Sequence, residues 1–235
     1  MDRTVVELND ICFRWRREEP AVLDIAHFSV VRGERLFIKG PSGSGKTTLL
    51  NLLAGMVVPE RGRVSILGTE IQSVSGARRD AFRAAHVGFI FQMFNLVPYL
   101  SLIDNVLLPC RFSEVRRART LERAPTLDAA ARRLLEHMAL DVDALGERPV
   151  TQLSTGQQQR VAAARALIGA PEIVIADEPT SALDSDRRLS FLDLLFREIE
   201  AEDATLLFVS HDASLQERFD RSVELAAINR ETAEP

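Results

Sequence analysis

The fold of this 235-residue chain is decided by one glycine-rich stretch, Gly40-Pro41-Ser42-Gly43-Ser44-Gly45-Lys46-Thr47-Thr48. It satisfies the P-loop pattern, and it lies between an apolar strand-like run and a helical pattern, as that motif requires. The glycines let the loop turn its N–H groups inward around a β-phosphate, and the following helix adds the positive end of its dipole. Lys46 can bridge β- and γ-phosphates while the Thr47 hydroxyl ligates Mg²⁺. The stretch therefore predicts a nucleotide site on an α/β sheet.

A second chemical signal is the stretch Ile173-Val174-Ile175-Ala176-Asp177-Glu178, an apolar strand that ends in two acids. Asp177 can hold Mg²⁺ through its water shell, and Glu178 can orient or deprotonate an attacking water. An acid pair after a strand is, on its own, equally typical of a solvated turn. In a chain that also carries a P-loop, it indicates nucleotide hydrolysis.

The remaining sequence alternates short β-rich runs with helical patterns, which is typical of a mostly parallel sheet flanked by helices. The predicted strands are 5–8, 28–31, 36–39, 63–66, 87–91, 173–177, 206–210 and 222–225. The predicted helices are 46–54, 78–85, 127–138, 155–168 and 186–200. Strand runs vanish between residues 95 and 152, where Arg, Glu and Ala dominate, so we expect an inserted helical lobe there.

Composition and charge exclude several classes of protein. Hydrophobic residues make up 46% of the chain and charged residues 27%, which excludes a largely disordered or low-complexity protein. The net charge of -5 provides no global basic field, so we expect no nucleic-acid partner. Residues 111–123 are locally basic, which favours a solvated helix or loop face over the alternative of a nucleic-acid site. Cys12 and Cys110 are too few for a disulfide framework and are expected to be buried or half-buried thiols.

One uncharged stretch, residues 87–103, is about as long as the shortest membrane-spanning helix. Pro98 would remove a backbone hydrogen bond in the middle of such a helix, and Gln92, Asn95 and Ser101 interrupt the apolar run. We therefore expect a buried strand followed by an apolar loop.

Further motifs resemble those of the nucleotide-binding subunits of ATP-binding-cassette (ABC) transporters. The most specific is Leu153-Ser154-Thr155-Gly156-Gln157-Gln158-Gln159-Arg160, which is similar to the signature sequence of this family. Gln92 resembles its Q-loop glutamine, the run Ser181-Ala182-Leu183-Asp184 its D-loop, and His211 its switch histidine. Trp15 stands where the family has an aromatic residue that stacks on adenine. Singly, His211 could be a surface histidine and Trp15 a core aromatic, but the shared order of all five motifs favours the resemblance.

The resemblance implies ATP as substrate and Mg²⁺ as cofactor, and it assigns roles to numbered residues. The implied catalytic residues are Glu178, His211, Lys46 and Gln92. The implied nucleotide-binding residues are Trp15, Gly40, Pro41, Ser42, Gly43, Ser44, Gly45, Lys46, Thr47, Thr48, Ser154, Thr155, Gly156, Gln157 and Asp184. The implied Mg²⁺ ligands are Thr47, Gln92 and Asp177.

The resemblance also implies two protein partners. Two copies of the chain pack head to tail, so that the signature helix of one, starting near Ser154, faces the γ-phosphate held by the other. A separate integral-membrane permease docks near residues 92–100, where core packing is the alternative for the apolar side chains Phe94, Leu96, Val97, Pro98, Tyr99 and Leu100. The chain would then be cytoplasmic and peripheral on the cytoplasmic face of the inner (plasma) membrane.

The implied architecture is a single ABC ATP-binding domain over residues 1–235. Its nucleotide-binding core comprises residues 1–94 and 161–235, with a mostly parallel sheet flanked by helices and an antiparallel β subdomain, and residues 95–160 form the helical signature lobe. The sequence is most similar to the lipoprotein-release and macrolide-export group, which implies export or extraction of a lipophilic substrate or lipoprotein. The alternative is a non-transport ABC ATPase that regulates a membrane partner in cell division or cell-wall remodelling.

Thr155 and the pair Ser181-Ala182 depart from that group's usual pattern. Thr155 stands where the family usually has glycine, so its backbone conformation decides whether the side chain is tolerated. A helix N-terminus has negative φ, in which a β-branched residue fits without strain. We therefore expect Thr155 to fit at the start of the signature helix.

Overall fold

The computed structural model describes residues 3–146 and 148–230, which form two compact units. The first unit takes the chain up to Arg83 and again from Thr205, and the second is Ala84–Ala204. The strands are β1 (Thr4–Phe13), β2 (Leu23–Val31), β3 (Arg35–Lys39), β4 (Arg61–Ile66), β5 (Thr69–Glu70), β6 (Val87–Ile90), β7 (Ile173–Asp177), β8 (Thr205–Val209) and β9 (Arg221–Glu224). The α-helices are α1 (Lys46–Leu53), α2 (Gly76–His86), α3 (Leu102–Phe112), α4 (Glu114–Arg123), α5 (Leu127–His137), α6 (Val142–Leu145), α7 (Thr155–Leu167), α8 (Ser185–Ala201) and α9 (Leu225–Ile228).

The first unit contains an antiparallel sheet of order β2-β1-β4-β5. Buried and less buried residues alternate along much of β2, as expected of a strand with one face on the core. This strand begins at Leu23, five residues before the predicted start at 28, because Asp24 and His27 interrupt the apolar run that the prediction relied on. Strand β1 is also longer than predicted, and it contains an irregularity near Asp10, whose φ is 52°.

The first unit also contains parallel strands, with β3 between β8 and β9. Leu36, Phe37 and Ile38 of β3 are completely buried, and every residue of β8 is buried. Such continuous apolar runs are typical of parallel strands covered on both faces. Because the carboxyl ends of parallel neighbours meet at one edge, the loops after β3 and β8 start side by side.

The second unit combines the parallel pair β6 and β7 with helices α3 to α8. Residues 95–152 contain α3 to α6 and no strand in their described part, as predicted, although α3, α4 and α6 were not placed individually. Helix α7 packs closely on β6. A Cβ built on Gly88 of β6 would lie only 2.2 Å from the carbonyl oxygen of Ala166 on α7. Only glycine permits this approach of helix to strand.

Parallel strands with flanking helices, together with an antiparallel sheet, confirm the predicted α/β fold class. Strand β6 is followed by a loop up to Ser101, which confirms the interpretation of residues 87–103. None of the described helices has the length and apolar character needed to cross a membrane. Cys12 and Cys110 are buried free thiols, as predicted.

Candidate functional site

The glycine-rich stretch forms the loop between β3 and α1 in the first unit. Gly43 and Gly45 have φ values of 79° and 96°, a left-handed conformation that glycine adopts without strain. A Cβ on Gly45 would also lie 3.3 Å from the carbonyl oxygen of Val22. The loop geometry therefore depends on glycine at these positions, for reasons of backbone angle and, at Gly45, also of space.

The N-terminus of α1 is open. Gly45 supplies the N-cap and has no side chain with which to cap the helix, and the first turn holds no acidic residue. The longer helices α3, α4, α5, α7 and α8 all have N-cap side chains that accept a backbone hydrogen bond. An N-terminus with a glycine cap and no acidic residue, together with the positive dipole end of α1, is typical of an anion-binding helix start.

Polar side chains of the loop complete an anion-binding donor set. Lys46 Nζ donates hydrogen bonds to the carbonyl oxygens of Gly40 and Pro41, each at 2.7 Å, so the ammonium folds back over the loop. Ser44 Oγ is buried and has no hydrogen-bond partner in the described part of the chain. Thr47 is exposed, whereas Thr48 is buried beneath the loop. A phosphate in the loop would give Ser44 Oγ the partner that it lacks.

His211 lies at the same sheet edge as this loop. It follows β8, which pairs with β3 so that Val209 faces Ile38, and Ser210 N donates to the Ile38 carbonyl at 3.2 Å. The His211 side chain is exposed. The first unit thus brings together the predicted P-loop and the predicted switch histidine.

Trp15 is connected to the loop through Phe13 and Val22. Val22, whose carbonyl lies against Gly45, donates its N–H to the Phe13 carbonyl at 2.8 Å. The rings of Phe13 and Trp15 meet edge to face with centroids 5.1 Å apart. Trp15 is 54% exposed, which excludes the core position that was the alternative for this residue.

In the second unit, Gln92 and the acid pair follow neighbouring parallel strands. Ile90 of β6 faces Ala176 of β7, so residues immediately beyond both strands lie at one sheet edge. Glu178 has a φ of 48°, a conformation that is uncommon outside glycine and asparagine. Strained backbone of this kind often occurs at functional sites, where it fixes a side chain direction.

The signature stretch begins α7 with a complete capping box. Ser154 Oγ accepts from Gln157 N at 3.4 Å, and Gln157 Oε1 accepts from Ser154 N at 2.8 Å. Thr155 is the first helical residue and does not adopt positive φ, as expected from the sequence. A Cβ on Gly156 would lie 3.8 Å from the side chain of Leu183, so the predicted signature and D-loop stretches are close together. Asp184 caps α8 by accepting from Arg187 N at 3.0 Å.

Residues 92–100, which we call the docking segment, expose part of the predicted apolar surface. Tyr99 and the unpredicted Met93 are each 80% exposed, while Phe94 is buried. Pro98 is exposed, and Leu96, Val97 and Leu100 are half-buried. The segment therefore combines an exposed apolar surface with inward anchors.

The interpretation of residues 111–123 as a solvated basic face is wrong for two arginines. Arg116 is 1% exposed, and its Nη1 donates to the carbonyl oxygens of Ala166 and Ile168 at 3.2 and 3.0 Å. Burial lowers the pKa of Arg116 to about 10. Arg119 pairs with Glu172 at 2.7 Å, and although burial alone would raise the pKa of Glu172, hydrogen bonds from His86 and Arg119 lower it to about 2. Helix α4 thus directs part of its basic face toward the carbonyl end of α7.

Comparisons with known proteins agree with these motifs. A family model described as ABC transporter matches residues 23–181. The lipoprotein-releasing system ATP-binding protein LolD of Syntrophotalea carbinolica is 38% identical over 94% of this chain and 95% of its own length. The chain belongs to the ABC transporter family. Within the family it is an ATPase subunit of the type represented by LolD and by the ATP-binding part of MacB, which confirms the predicted enzyme class.

Two further ABC proteins define the extent of the likeness. The macrolide export ATP-binding/permease protein MacB of Chromobacterium violaceum is 38% identical over 90% of this chain, but the match covers only 32% of MacB. The ATP-binding cassette MJ0796, in a dimeric post-hydrolysis structure bound to ADP and Pi, has a TM-score of 0.77 with 33% identity and covers 93% of each chain. The sequence and the fold of this chain therefore both identify it as an ABC cassette.

Proposed function

We propose that this ABC subunit binds and hydrolyses ATP and that ATP-dependent closure of a head-to-tail homodimer drives a separate membrane permease. The observation that carries the proposal is the open N-terminus of α1 with the donor set of residues 40–48 above it. Among the described helices of comparable length with a defined N-cap, α1 alone lacks a capping side chain. This arrangement fits the phosphates of ATP, and Trp15 fits the adenine through its exposed ring.

Hydrolysis would use Glu178, His211, Lys46 and Gln92. Glu178, whose backbone is held at positive φ, would orient or deprotonate the attacking water, and His211 would contact the γ-phosphate. Lys46 would leave its two carbonyl partners to neutralise charge on the β- and γ-phosphate oxygens. Gln92 would assist at the sheet edge that it shares with the acid pair.

The residues present also fit a Mg²⁺ ion that arrives with ATP. Such an ion is usually bound by one or two carboxylates together with substrate phosphate and water oxygens. The Thr47 hydroxyl, the Asp177 carboxylate and the Gln92 amide offer oxygens of this kind. The ion would supply charge neutralisation at the phosphoryl oxygens.

Dimer closure would bring α7 of one copy to the nucleotide of the other. The amides of Thr155 and Gly156 take no part in the capping box, so they can meet a γ-phosphate without breaking it. Ser154, Gln157 and Asp184 would line the same face. The dimeric structure of the related cassette MJ0796 supports assembly of this kind.

The permease would dock on the docking segment, where Met93 and Tyr99 present large exposed apolar side chains. Docking would place the chain at the cytoplasmic face of the inner (plasma) membrane. The likeness to LolD and MacB supports export or extraction of a lipophilic substrate or lipoprotein. We further propose one functional domain over residues 1–235, with residues 1–94 and 161–235 as nucleotide-binding core and 95–160 as signature lobe.

Glu178→Gln tests the proposal, because it keeps the side-chain shape but removes the base. We expect ATP hydrolysis to fall about 100-fold or more, and size-exclusion chromatography with Mg-ATP to show a dimer. Glu136→Gln, the same change at an exposed glutamate on α5, should hydrolyse ATP and elute as the original chain does. A Glu178→Gln variant that binds ATP yet stays monomeric would contradict closure by ATP.

A further inference from the structure

The backbone of the docking segment is held by a half-buried arginine. Arg165, in the last turn of α7, donates from Nη1 to the Asn95 carbonyl at 2.7 Å and from Nη2 to the Phe94 carbonyl at 2.5 Å. Phe94 and Asn95 have φ values of 58° and 48°, two consecutive left-handed residues without glycine. Such a turn is strained and persists only where its surroundings hold it. The forked guanidinium spans both carbonyls of that turn.

A buried asparagine holds the other part of the same segment. Asn105 on α3 is completely buried, and its Oδ1 accepts from Val97 N at 2.8 Å. Its Nδ2 donates to the carbonyl oxygens of Val97 and Ser101, each at 3.1 Å. The exposed side chains of Met93 and Tyr99 are therefore carried on a fixed backbone.

The charge of Arg165 binds it strongly to this turn. Burial lowers the pKa of its guanidinium, and within the described residues its partners are backbone carbonyl oxygens and no carboxylate. A partly buried charge is stabilised by hydrogen-bond acceptors, and the two carbonyl oxygens of the segment supply them. The neighbouring Ala166 is pressed against Gly88 of β6, so the last turn of α7 has little freedom to withdraw from the strand that leads into the segment.

We propose that Arg165 is a positioning residue that couples the docking segment to the signature helix. Ser154, at the other end of α7, lies about 16 Å along the helix axis from Arg165. A rigid helix held at one end by the docking segment transmits displacement of that segment to the signature residues, and nucleotide-driven displacement of those residues back to the segment. This inference rests on the proposed function, in which a permease docks at one end of α7 and ATP at the other.

Hydrogen–deuterium exchange of the nucleotide-free chain tests the hold itself. Arg165→Met keeps an apolar stem but removes both donors, so exchange of the peptide over residues 93–100 should accelerate about tenfold or more. Arg165→Lys, which retains the charge and can reach one carbonyl, should give an intermediate rate. The matched control is Arg160→Met, since Arg160 also lies on α7 but donates to the Ala139 carbonyl at 3.1 Å. Unchanged exchange in Arg165→Met would overturn the proposal.

The coupling is tested in the Glu178→Gln background with Mg-ATP. We expect ATP to slow exchange in both the signature peptide and the 93–100 peptide, and Arg165→Met to abolish only the second response. Arg160→Met should keep both. Loss of the response at 93–100 with the signature response retained supports coupling through Arg165, because general destabilisation would alter both peptides. An ATP response at 93–100 that survives Arg165→Met overturns it.

The peptide over residues 40–48 separates this inference from the proposed function. If ATP does not protect that peptide in any variant, the proposed nucleotide site fails, and the nucleotide-free comparison alone decides whether Arg165 positions the segment. If Arg165→Met does not fold, as circular dichroism would show, the Arg165→Lys rate decides. An Arg165→Lys rate equal to that of the original chain then overturns the proposal, and a faster rate supports it.

Discussion

Helices α1 and α7 both begin in glycine-containing stretches that were predicted to face phosphate, yet their first turns are finished differently. Helix α1 starts at Lys46 after the N-cap Gly45, which has no side chain with which to cap it, and its first turn holds no acid. Helix α7 starts at Ser154 with a reciprocal capping box that satisfies the amides of Ser154 and Gln157 within the chain. The start of α1 thus has no cap from its N-cap side chain, whereas the start of α7 is capped within the chain.

In the proposed dimer, this difference would make the two contributions of each chain to the nucleotide sites unequal. A helix end without a side-chain cap binds an anion through its backbone N–H groups and its dipole. A helix start with a capping box is ordered without a ligand. In α7, only the amides of Thr155 and Gly156 lie outside the capping box and can bind phosphate. We therefore expect the α1 half to bind ATP in a single chain, and the α7 half to act only in the closed dimer.

Removing the lysine of the α1 half should have the largest effect. Lys46→Ala deletes the cation that reaches the β- and γ-phosphates, so ATP affinity should fall about 100-fold, or about 2.7 kcal/mol. Isothermal titration measures this directly. Lys39→Ala is the matched control, because Lys39 lies just before the loop and pairs with Glu224 at 3.7 Å. Equal affinities for all three proteins would remove the α1 half of the comparison.

Removing the cap of α7 should distinguish its contribution to dimer formation from the contribution of α1 to ATP binding. Ser154→Ala should lower the free energy of unfolding by about 1 kcal/mol through the lost cap. In the Glu178→Gln background it should also weaken the ATP-bound dimer about tenfold or more, while ATP affinity of the single chain stays within about twofold. Analytical ultracentrifugation gives the dimer constant, and isothermal titration gives the affinity.

Ser101→Ala provides the control for that experiment. Ser101 caps α3 in the same way, since its Oγ accepts from Asp104 N at 3.0 Å. Its loss should lower stability by a similar amount without changing the dimer. Should both serine variants weaken the dimer equally, the effect would come from stability and not from a signature contact.

The difference between the two helix starts was only partly predictable from sequence. The glycine offsets around Lys46 predicted the P-loop because a phosphate-binding backbone needs glycine at fixed positions. The spacing of Ser154 and Gln157 also matches a capping box, a signal present in the sequence but interpreted only as a phosphate contact. The sequence predicted the ends of strands β3, β7 and β8 to within one residue because their apolar runs are continuous. The prediction for β2 was too short, because polar residues interrupt its apolar run.

The positions of Arg165 and Asn105 were not predictable. Their partners are backbone carbonyls and amides of the docking segment, and the tertiary fold alone brings these groups within reach. Arg116 was misjudged for the same reason, since nothing in an arginine-rich run marks which member meets the end of a distant helix. Polar groups that bond to distant backbone leave no periodic signal in a single sequence.

Trp15 should report on the α1 half alone. It is the only tryptophan of the chain, so its emission should change on addition of ATP even in Ser154→Ala, which retains nucleotide binding in our comparison. Trp15→Ala should lower ATP affinity about tenfold, by analogy with base stacking worth about 1–3 kcal/mol, and Trp15→Phe should restore most of it. Emission that is indifferent to saturating ATP would show that this ring does not meet the base.

The smallest effect is expected from Thr155→Gly, which restores the usual residue of the family at the start of α7. Thr155 is helical and free of left-handed strain, so glycine relieves nothing there and adds only backbone entropy. The free energy of unfolding should fall by less than about 1 kcal/mol, close to the effect of Ser185→Gly at the first residue of α8. ATPase activity of the isolated chain should stay within a few-fold of the original, because the amides offered to phosphate are backbone groups that both residues supply.

A rise in ATPase activity of about two orders of magnitude, equivalent to about 2.7 kcal/mol in the barrier, would show that the threonine side chain obstructs closure. The capped start of α7 would then lower the ATPase rate as well as stabilise the helix end.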